Sequence, residues 1–288
     1  MNLVAVVLNW NGGDDTLAAL ASLKGVTTIC VDNGSTDGSD LLVEQRFPNV
    51  ELMRAGANLG FAGGNNTGIR RALALGADWV LLLNNDAVAE FGLASALDGA
   101  ARARPDAGLL ACKVLSEDGQ TVQYSGARFN RWLGYSGRVR TKGPEELRDV
   151  ARADGAAMAV SRAAVERAGL LDPELFAYVE DVEWSLRIRR AGFAVVFVPD
   201  ARARHKGSAA TGGRSSTTNL YYSTRNTIVV SERHAALPRG LRGLRRGVVV
   251  GAHLAQSLSH PSRVAAARAV LAGWRDARAG RLGQRSSA

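Results

Sequence analysis

The sequence predicts an α/β fold with a mainly parallel central sheet and helices on both faces. Over the first 110 residues, apolar runs rich in Val and Leu alternate with segments of helical periodicity, as in repeated strand–helix–strand units. The apolar runs are continuous, which is typical of parallel strands that are buried on both faces. A chain of 288 residues is long enough for one large domain or two small ones.

The predicted strands and helices follow one another closely along the chain. Apolar runs predict strands at residues 3–10, 26–33, 49–55, 78–85 and 107–115. Helical patterns, several of which begin with capping residue types, lie between them at residues 14–23, 36–47, 64–76 and 88–103. The pattern then predicts hairpins over 121–140, a strand and a helix from 152, an amphipathic helix over 174–193 and a last core strand over 194–205.

Positive charge is concentrated towards the C-terminus. The formal net charge is +9, yet residues 1–110 carry 7 Lys and Arg against 12 Asp and Glu, whereas residues 201–288 carry 16 against 2. We therefore expect residues 1–232 to form the α/β domain and residues 233–288 to form a basic helical C-terminal extension.

Two interpretations of this extension stay open. Leu241, Leu244 and Val248 recur at helical spacing with arginines between them. Such a helix either lies on an anionic membrane surface or packs on the domain with a solvated arginine face.

Composition also bears on localisation. Cys30 and Cys112 lie in apolar, strand-like runs, which predicts buried thiols in a reducing compartment. The N-terminal apolar run is too short for a signal peptide, and no stretch reaches the ~20 apolar residues of a membrane-spanning helix. We expect a cytoplasmic protein, at the inner face of the cell membrane if the basic extension binds lipid.

Polar residues gather where the predicted strands end. The clusters lie at residues 9–11, 32–35, 55–66 and 84–86. Asp and Asn are common in turns, but ligands of open α/β sheets bind at the carboxyl ends of the strands, and four clusters there favour a binding site. Neither a G-x-x-x-x-G-K-[ST] loop nor a G-x-G-x-x-G after the first strand is present.

Five motifs in order, VVLNWNG, VDNGSTDGS, NLGFAGGNN, LLLNND and FAYVEDVEWSLRIRRAGF, resemble glycosyltransferase family 2, most closely its rhamnosyltransferase-like branch. The resemblance covers residues 3–232 and implies a GT-A fold. It implies an inverting hexosyltransferase that moves a sugar, with rhamnose favoured, from a dTDP-, UDP- or GDP-sugar to an acceptor hydroxyl. The acceptor would be a glycan, a lipid-linked sugar or a small molecule in the biosynthesis of cell-wall polysaccharide or a glycoconjugate.

A departing diphosphate must have its charge neutralised, and the resemblance implies a divalent cation, Mg²⁺ or Mn²⁺. These ions bind between one or two carboxylates and substrate phosphates. Asp86 is the candidate ligand, and a helix cap is its alternative role. The family carries D-x-D here, whereas this chain has Asn84-Asn85-Asp86. His205 resembles a position that completes the metal site in some members, with a structural role as the alternative.

The acceptor hydroxyl must lose a proton, and candidates lie in YVEDVEW. On a helix, Glu183 faces Arg187 four residues on, as in a surface ion pair, whereas Asp181 has Ser185 at that spacing. The resemblance places the general base at the aspartate of the Glu-Asp pair. Asp181 is therefore the predicted base, with Glu180 in substrate binding.

The resemblance also implies residues that contact substrates. Asp32 resembles the aspartate that accepts a hydrogen bond from the nucleobase N–H. Asp154 would lie near the acceptor and Arg225 near a phosphate, with a turn and an ion pair as alternatives. The other predicted substrate-binding residues are Asn9, Asn11, Asn58, Gly63, Gly64, Asn66 and Asn85. The glycines would let the backbone approach the donor closely, unless they only form a loop.

Two other functions are weaker. A non-catalytic GT-A-like protein that binds nucleic acid or anionic surfaces through its basic tail is the main alternative. The acidic N-terminal half and the lack of aromatic residues among the tail's arginines argue against nucleic acid as a partner. A nucleotide-sugar pyrophosphorylase would need a basic glycine-rich loop after the first strand, where NWNGGDD is acidic.

Overall fold

A computed structural model of the protein describes residues 1–140, 145–207 and 216–285. Within these residues, ten strands form one central sheet and two more form a separate hairpin. The strands are β1 (Leu3–Asn9), β2 (Thr27–Asp32), β3 (Glu51–Arg54), β4 (Trp79–Asn84), β5 (Ala87–Ala89), β6 (Ala107–Ser116), β7 (Val122–Tyr124), β8 (Ala127–Asn130), β9 (Tyr135–Arg138), β10 (Arg148–Asp149), β11 (Ala157–Ser161) and β12 (Ala194–His205). Strands β8 and β9 are the hairpin.

The helices lie between and after the strands. They are α1 (Gly13–Ser22), α2 (Ser39–Arg46), α3 (Gly60–Ala74), α4 (Leu93–Ala103), α5 (Arg162–Ala168), α6 (Glu180–Arg190), α7 (Thr217–His234), α8 (Arg239–Ser257) and α9 (Arg263–Ala279). A short 3₁₀ helix, Pro173–Leu175, precedes α6.

The central sheet is mainly parallel, as the sequence predicts. Its strand order is β10-β12-β6-β11-β4-β1-β2-β3. Strand β1 runs parallel to β2 and β4, β2 runs parallel to β3, and β6 runs parallel to β12. Strand β11 is inserted antiparallel between β4 and β6. The carboxyl ends of β1, β2 and β4 therefore share one edge, as expected.

Helices cover both faces of the sheet, because successive side chains of a strand point to opposite faces. In β1, Val4 and Val6 belong to one apolar core, together with residues of α3, α5 and α6. Ala5 and Val7 belong to the other core, together with residues of α1, α2 and α4. This arrangement explains why the strands read as continuous apolar runs. The chain has the predicted GT-A fold.

The helix predicted over 174–193 is shorter in the structure and begins at Glu180. Three residues before it have left-handed backbone conformations, with φ of 63°, 65° and 72° at Phe176, Tyr178 and Val179. Such conformations are strained for residues other than glycine and need support from the surroundings. The support comes from α7, where Asn226 Nδ2 lies 2.7 to 2.9 Å from three carbonyl oxygens of segment 175–178.

The C-terminal helices pack on one another. Helix α7 contributes Leu220, Tyr221 and Tyr222 to a small apolar core that α9 completes. In α9, a Cβ at Gly273 would lie 2.4 Å from the Tyr221 carbonyl oxygen, so the two helices are in backbone contact. The division of the chain after residue 232 stays a prediction. None of the helices in the described part of the chain combines the length and the apolar character needed to cross a bilayer.

Helix α8 forms despite its glycines and has apolar residues on two sides. Val249 is buried, and Val250 and Leu254 pack on the apolar core of α7 and α9. Leu241, Leu244 and Val248, the residues singled out in the sequence, are instead 43%, 68% and 46% exposed. Arg245 is buried and donates a hydrogen bond to the Ala235 carbonyl oxygen. The helix is thus packed on the protein, while the stripe of Leu241, Leu244 and Val248 is turned to solvent.

Candidate active site

A cleft of about 270 Å³ opens at the carboxyl ends of β1 and β4 and at the start of α6. It is where the polar residues of the strand ends meet the Glu-Asp pair of α6. Seven predicted site residues line it, namely Asn58, Asn85, Asp86, Asp154, Glu180, Asp181 and His205. The prediction that ligands bind at this edge of the sheet therefore agrees with the location of the cleft.

Asp86 and His205 form one pole of the cleft. Strand β5, which follows Asp86 directly, pairs with the end of β12 so that Ala87 is opposite His205. This pairing brings His205 Nε2 to 3.1 Å from Asp86 Oδ1, and both side chains are buried. Two groups that are far apart in the chain thus converge at the position expected for a cation.

Gln123 contacts the other nitrogen of the His205 ring. Gln123 Nε2 donates a hydrogen bond to the His205 carbonyl oxygen, which turns Gln123 Oε1 towards His205 Nδ1 at 3.3 Å. In the tautomer with its proton on Nδ1, that N–H donates to Gln123 Oε1, and the lone pair of Nε2 faces the Asp86 carboxylate. An imidazole nitrogen and a carboxylate oxygen turned towards each other in this way suit a metal cation.

The protein groups at this pole fit a divalent cation that is also held by substrate. No group of three or more His, Cys, Asp and Glu side chains within residues 1–140, 145–207 and 216–285 is arranged to hold a metal. Two protein ligands are nevertheless what Mg²⁺ or Mn²⁺ needs when diphosphate oxygens and water complete the coordination.

Asp181 forms part of the opposite pole, at the first turn of α6. Its Oδ2 accepts hydrogen bonds from Arg152 Nη1 at 2.9 Å and from the Gly155 backbone N–H at 3.2 Å. Ser185 Oγ bonds to the Asp181 carbonyl oxygen at 2.7 Å, one turn further on. The carboxylate is thus held in one orientation at the cleft wall.

Glu180 lies beside Asp181 and has a different environment. It is 6% exposed, and its Oε2 is buried without a hydrogen-bond partner in the described residues. Burial, and then the charge of Asp181, raises the pKa of Glu180 to about 8. Near neutral pH, Glu180 is therefore a carboxylic acid that can donate a hydrogen bond, next to a carboxylate that can accept a proton.

Two arginines complete the charge pattern around the acceptor side. Arg138 Nε lies 2.8 Å from Asp154 Oδ2, and Arg152 Nη1 lies 3.7 Å from the same oxygen. Burial alone would disfavour ionisation of Asp154, but the two guanidinium groups outweigh it and hold its pKa below the usual range. Arg152 is shared between Asp154 and Asp181, at 3.7 and 2.9 Å.

Asn9, Asn11 and Asp32 hold the first two strand-end loops together. Asn9 Nδ2 donates to Asp32 Oδ1 at 3.0 Å, while its Oδ1 accepts from Thr16 Oγ1 at 2.7 Å. The Asn11 backbone N–H donates to Ser35 Oγ at 3.0 Å. Within the described residues these three do not line the cleft, so their predicted contacts with the nucleoside stay predictions.

Gly63, Gly64 and Asn66 lie on α3 and not in a loop. A Cβ at Gly64 would lie 2.4 Å from Leu8 Cδ1, so the glycine lets α3 approach β1 closely. Asn66 exchanges two hydrogen bonds with the backbone of Leu171, at 2.8 and 3.1 Å. The structure thus gives these residues packing contacts, and their predicted part in donor binding stays untested.

Arg225 is 1% exposed in the interior of α7. Its guanidinium donates to the carbonyl oxygens of Leu175 at 2.9 Å and Gly283 at 2.7 Å. Arg225 therefore fixes the strained segment before α6 to the C-terminal segment, and no phosphate contact is evident from its position.

Sequence reasoning missed Arg138 and Arg152. Arg152 stands two residues before Asp154 in RADG, but 29 residues separate it from Asp181. Arg138 belongs to the β8–β9 hairpin, and no local sequence pattern predicts where this hairpin lies relative to the cleft. The aromatic wall residues Trp10, Phe61 and Tyr178 were also missed, because sequence alone does not distinguish an aromatic residue that lines a cleft from one in the core.

Comparison with known proteins places the chain in a family. A family model described as glycosyltransferase-like family 2 matches residues 14–226. The N-acetylglucosaminyl-diphospho-decaprenol L-rhamnosyltransferase of Mycobacterium tuberculosis is 33% identical over 260 residues, which cover 80% of this chain and 82% of the relative. The low-salt glycan biosynthesis hexosyltransferase Agl10 of Haloferax volcanii is 26% identical over 236 residues, with coverages of 80% and 75%.

Solved structures share the fold at low sequence identity. GalNAc-T7, solved with UDP, GalNAc and Mn²⁺, has a TM-score of 0.63 at 16% identity, over 91% of this chain and 58% of that one. S. aureus TarS with UDP-GlcNAc has a TM-score of 0.60 at 15% identity, with coverages of 96% and 81%. The mannosyltransferase PcManGT of Pyrobaculum calidifontis, solved with GDP-Man and Mn²⁺, has a TM-score of 0.56 at 17% identity, with coverages of 96% and 75%. Sequence and fold agree, and the chain belongs to glycosyltransferase family 2, in its rhamnosyltransferase-like branch.

Proposed function

We propose that this glycosyltransferase is an inverting L-rhamnosyltransferase. It would move rhamnose from dTDP-rhamnose to a hydroxyl of a sugar linked by a diphosphate to a polyprenol. The cleft carries the proposal, because it brings together a cation pole, Asp86 and His205, and an acid–base pole, Glu180 and Asp181. The choice of sugar and acceptor is supported by the name of the M. tuberculosis relative, which is 33% identical.

Asp86 and His205 would hold the divalent cation on the donor side. Bound there, Mg²⁺ or Mn²⁺ would neutralise charge on the donor diphosphate. Asn85 and Asn58, which also line the cleft, would donate hydrogen bonds to donor oxygens. The single carboxylate of Asn84-Asn85-Asp86 is offset by the imidazole of His205, which gives the cation two protein ligands instead of one.

Asp181 would take the proton of the acceptor hydroxyl. As that O–H bond breaks, the acceptor oxygen forms a bond to the anomeric carbon, and the bond to the diphosphate oxygen breaks with its electron pair on the leaving nucleotide. Attack opposite the leaving group inverts the anomeric configuration. Arg152 and the Gly155 N–H fix the Asp181 carboxylate for this step, and Glu180, protonated, would donate a hydrogen bond to a substrate oxygen.

Membrane contact through α8 is part of the proposal. The outward stripe of Leu241, Leu244 and Val248 lies beside the exposed residues Arg239 and Arg242. An amphipathic helix with this pattern binds anionic bilayers through apolar burial and electrostatic attraction. A lipid-linked acceptor would then be met at the inner face of the cell membrane. Family membership disfavours the alternative of a non-catalytic binding protein.

The direct test is sugar transfer by the purified protein. The donors would be dTDP-L-rhamnose, UDP-GlcNAc and GDP-mannose, each with Mg²⁺ or Mn²⁺, and the acceptor would be N-acetylglucosaminyl-diphospho-farnesol. We expect a deoxyhexose to be added from dTDP-L-rhamnose alone, which mass spectrometry detects. Transfer from another donor would correct the sugar, and no transfer from any donor would overturn the proposed function.

A further inference from the structure

The β8–β9 hairpin stands at the rim of the cleft with one face towards the catalytic pole. Along β9, Ser136 and Arg138 share that face, because alternate residues of a strand point to the same side. Ser136 Oγ accepts a hydrogen bond from Arg152 Nε at 2.9 Å, and Arg138 Nε lies 2.8 Å from Asp154 Oδ2. The Arg138 side chain is 32% exposed and lines the cleft. It is thus a partly solvated cation next to Asp154, the carboxylate that shares Arg152 with the predicted base Asp181.

The tip of the same hairpin is apolar and exposed. Trp132, Leu133 and Tyr135 are 72%, 42% and 56% exposed. The tip is not a loose loop, because a Cβ at Gly134 would lie 2.0 Å from Ser231 Cβ of α7. Three large apolar side chains held in water within four residues mark an interaction site rather than a folding requirement.

The cation at the cleft and the apolar tip beyond it are complementary to the proposed acceptor, which carries an anionic diphosphate followed by a hydrocarbon chain. Trp132 and Leu133 lie at the tip, just before β9, whereas Tyr135 lies on the face of β9 opposite Arg138, beside Gly137. When the acceptor sugar has its hydroxyl at Asp181, its diphosphate must lie near the rim of the cleft, and its hydrocarbon chain must extend beyond the rim. The donor diphosphate would have a cation pole of its own, Asp86 and His205, which line the same cleft.

We propose that the β8–β9 hairpin is the acceptor-docking element, in which Arg138 binds the diphosphate and Trp132 and Leu133 at the tip pack on the first isoprenoid units. This inference rests on the proposed function, since it names the part of the acceptor that the cleft does not enclose. A guanidinium suits the ligand because it presents several N–H donors to phosphate oxygens. Asp154 keeps Arg138 oriented towards the cleft when no acceptor is bound.

Ligand binding tests the hairpin without any need for sugar transfer. The probe is farnesyl diphosphate, titrated by calorimetry into protein saturated with dTDP and Mg²⁺, so that the donor site is already filled. Arg138→Gln should weaken binding about tenfold or more, as expected for loss of a charge-assisted hydrogen bond. Arg128→Gln is the matched control, because Arg128 is an exposed arginine on β8 that does not line the cleft. It should bind as the wild type does.

Two further variants separate the parts of the site. Trp132→Ala should weaken binding of farnesyl diphosphate but not of inorganic diphosphate. Asp154→Asn removes the carboxylate that competes for Arg138, so it should keep or tighten binding. If Arg138→Gln weakened binding only because Asp154 was displaced, Asp154→Asn would weaken binding of farnesyl diphosphate as much as Arg138→Gln does. That result would show that the assigned role of Arg138 is wrong.

The titration and the sugar-transfer assay can fail independently of each other. No binding of farnesyl diphosphate by the wild type, or equal binding by wild type and Arg138→Gln, would overturn the hairpin proposal even if sugar transfer is observed. Binding that needs only an anionic vesicle, with or without diphosphate, would make the tip a bilayer contact and not an acceptor site. Failure of all sugar transfer would remove the proposed function, while the titration would still decide whether the hairpin binds a prenyl diphosphate.

Discussion

Arg152 Nη1 lies 2.9 Å from Asp181 Oδ2, and both side chains are buried at the wall of the cleft. The guanidinium also lies 3.7 Å from Asp154, so a single cation stabilises two carboxylates that would otherwise repel each other. A buried charge of this kind is retained only where it is paired and hydrogen-bonded. The relationship explains how the Asp181 side chain is held in one orientation beside a buried Glu180.

Asp181→Asn should abolish transfer and leave donor binding intact. The amide keeps the size of the side chain but cannot accept the acceptor's proton, and loss of such a base typically lowers the rate by ~10²–10⁴. Turnover and dTDP affinity would be measured on the same preparation. Asp200→Asn, at an exposed aspartate outside the cleft, is the control. A variant that transfers at the wild-type rate would exclude Asp181 as the base.

Asp86→Ala should remove the effect of metal on nucleotide binding. In the wild type, a saturating nucleotide with Mn²⁺ should raise the melting temperature, since a ligand at ~100 times its dissociation constant stabilises by ~2.7 kcal/mol. Without the carboxylate, the shifts with and without Mn²⁺ should become equal, and Asp200→Ala should behave as the wild type. Equal wild-type shifts with and without metal would contradict a cation at Asp86.

Glu180 should make the protein less stable as the pH rises. Its pKa is about 8 in the folded chain, against an ordinary value of 4.5. Between these two values the unfolded state releases the proton while the folded state keeps it. The free energy of unfolding therefore falls by up to about 1.4 kcal/mol per pH unit over this window. Urea unfolding from pH 4.5 to 8.5 should show that Glu180→Gln removes this part of the slope. If the free energy of unfolding depended on pH in the same way in wild type and variant, burial of Glu180 would not raise its pKa in the folded protein.

Gly64→Ala should destabilise the fold, because the added methyl group would lie 2.4 Å from Leu8 Cδ1. Overpacking of this kind lowers the free energy of unfolding by about 1–3 kcal/mol. Gly99→Ala is the matched control, since a methyl group at that position of α4 meets nothing within 4 Å and should stabilise by up to about 1 kcal/mol. If Gly64→Ala kept its stability and lost only donor binding, the glycine would serve the donor and not the packing.

Leu244→Glu should weaken binding to anionic vesicles without unfolding the protein. Leu244 is 68% exposed, so its replacement removes no core contact, while the new charge opposes both apolar burial and attraction to the lipid. Cosedimentation with vesicles at low and high salt would measure the effect. Phe91→Glu, at an apolar residue exposed elsewhere, should bind as the wild type does. Equal binding by both variants would show that α8 does not contact the membrane.

Several features were predictable because they depend on residues close together in the sequence. Strands β1, β2 and β4 read as apolar runs because both their faces are buried. Their polar ends read as clusters because the polar residues follow one another directly in the sequence. The Glu183–Arg187 pair was also predicted from helical spacing. In the structure, Arg187 Nη2 donates to Glu183 Oε2 at 2.8 Å, but Glu183 is buried and also faces His234. Helical spacing predicted this ion pair but did not predict that Glu183 is buried.

The sequence by itself determined the family, the order of the strands and helices, and the edge of the sheet where ligands would bind. Tertiary structure alone decided which charges meet, because Arg152 and Asp181, or Asp86 and His205, are brought together by strand pairing between distant segments. It also decided where α6 begins, since Asn226 of α7 supports the strained backbone at residues 176–179. Local patterns report periodicity and burial, whereas a contact between distant residues depends on the packing of the whole chain.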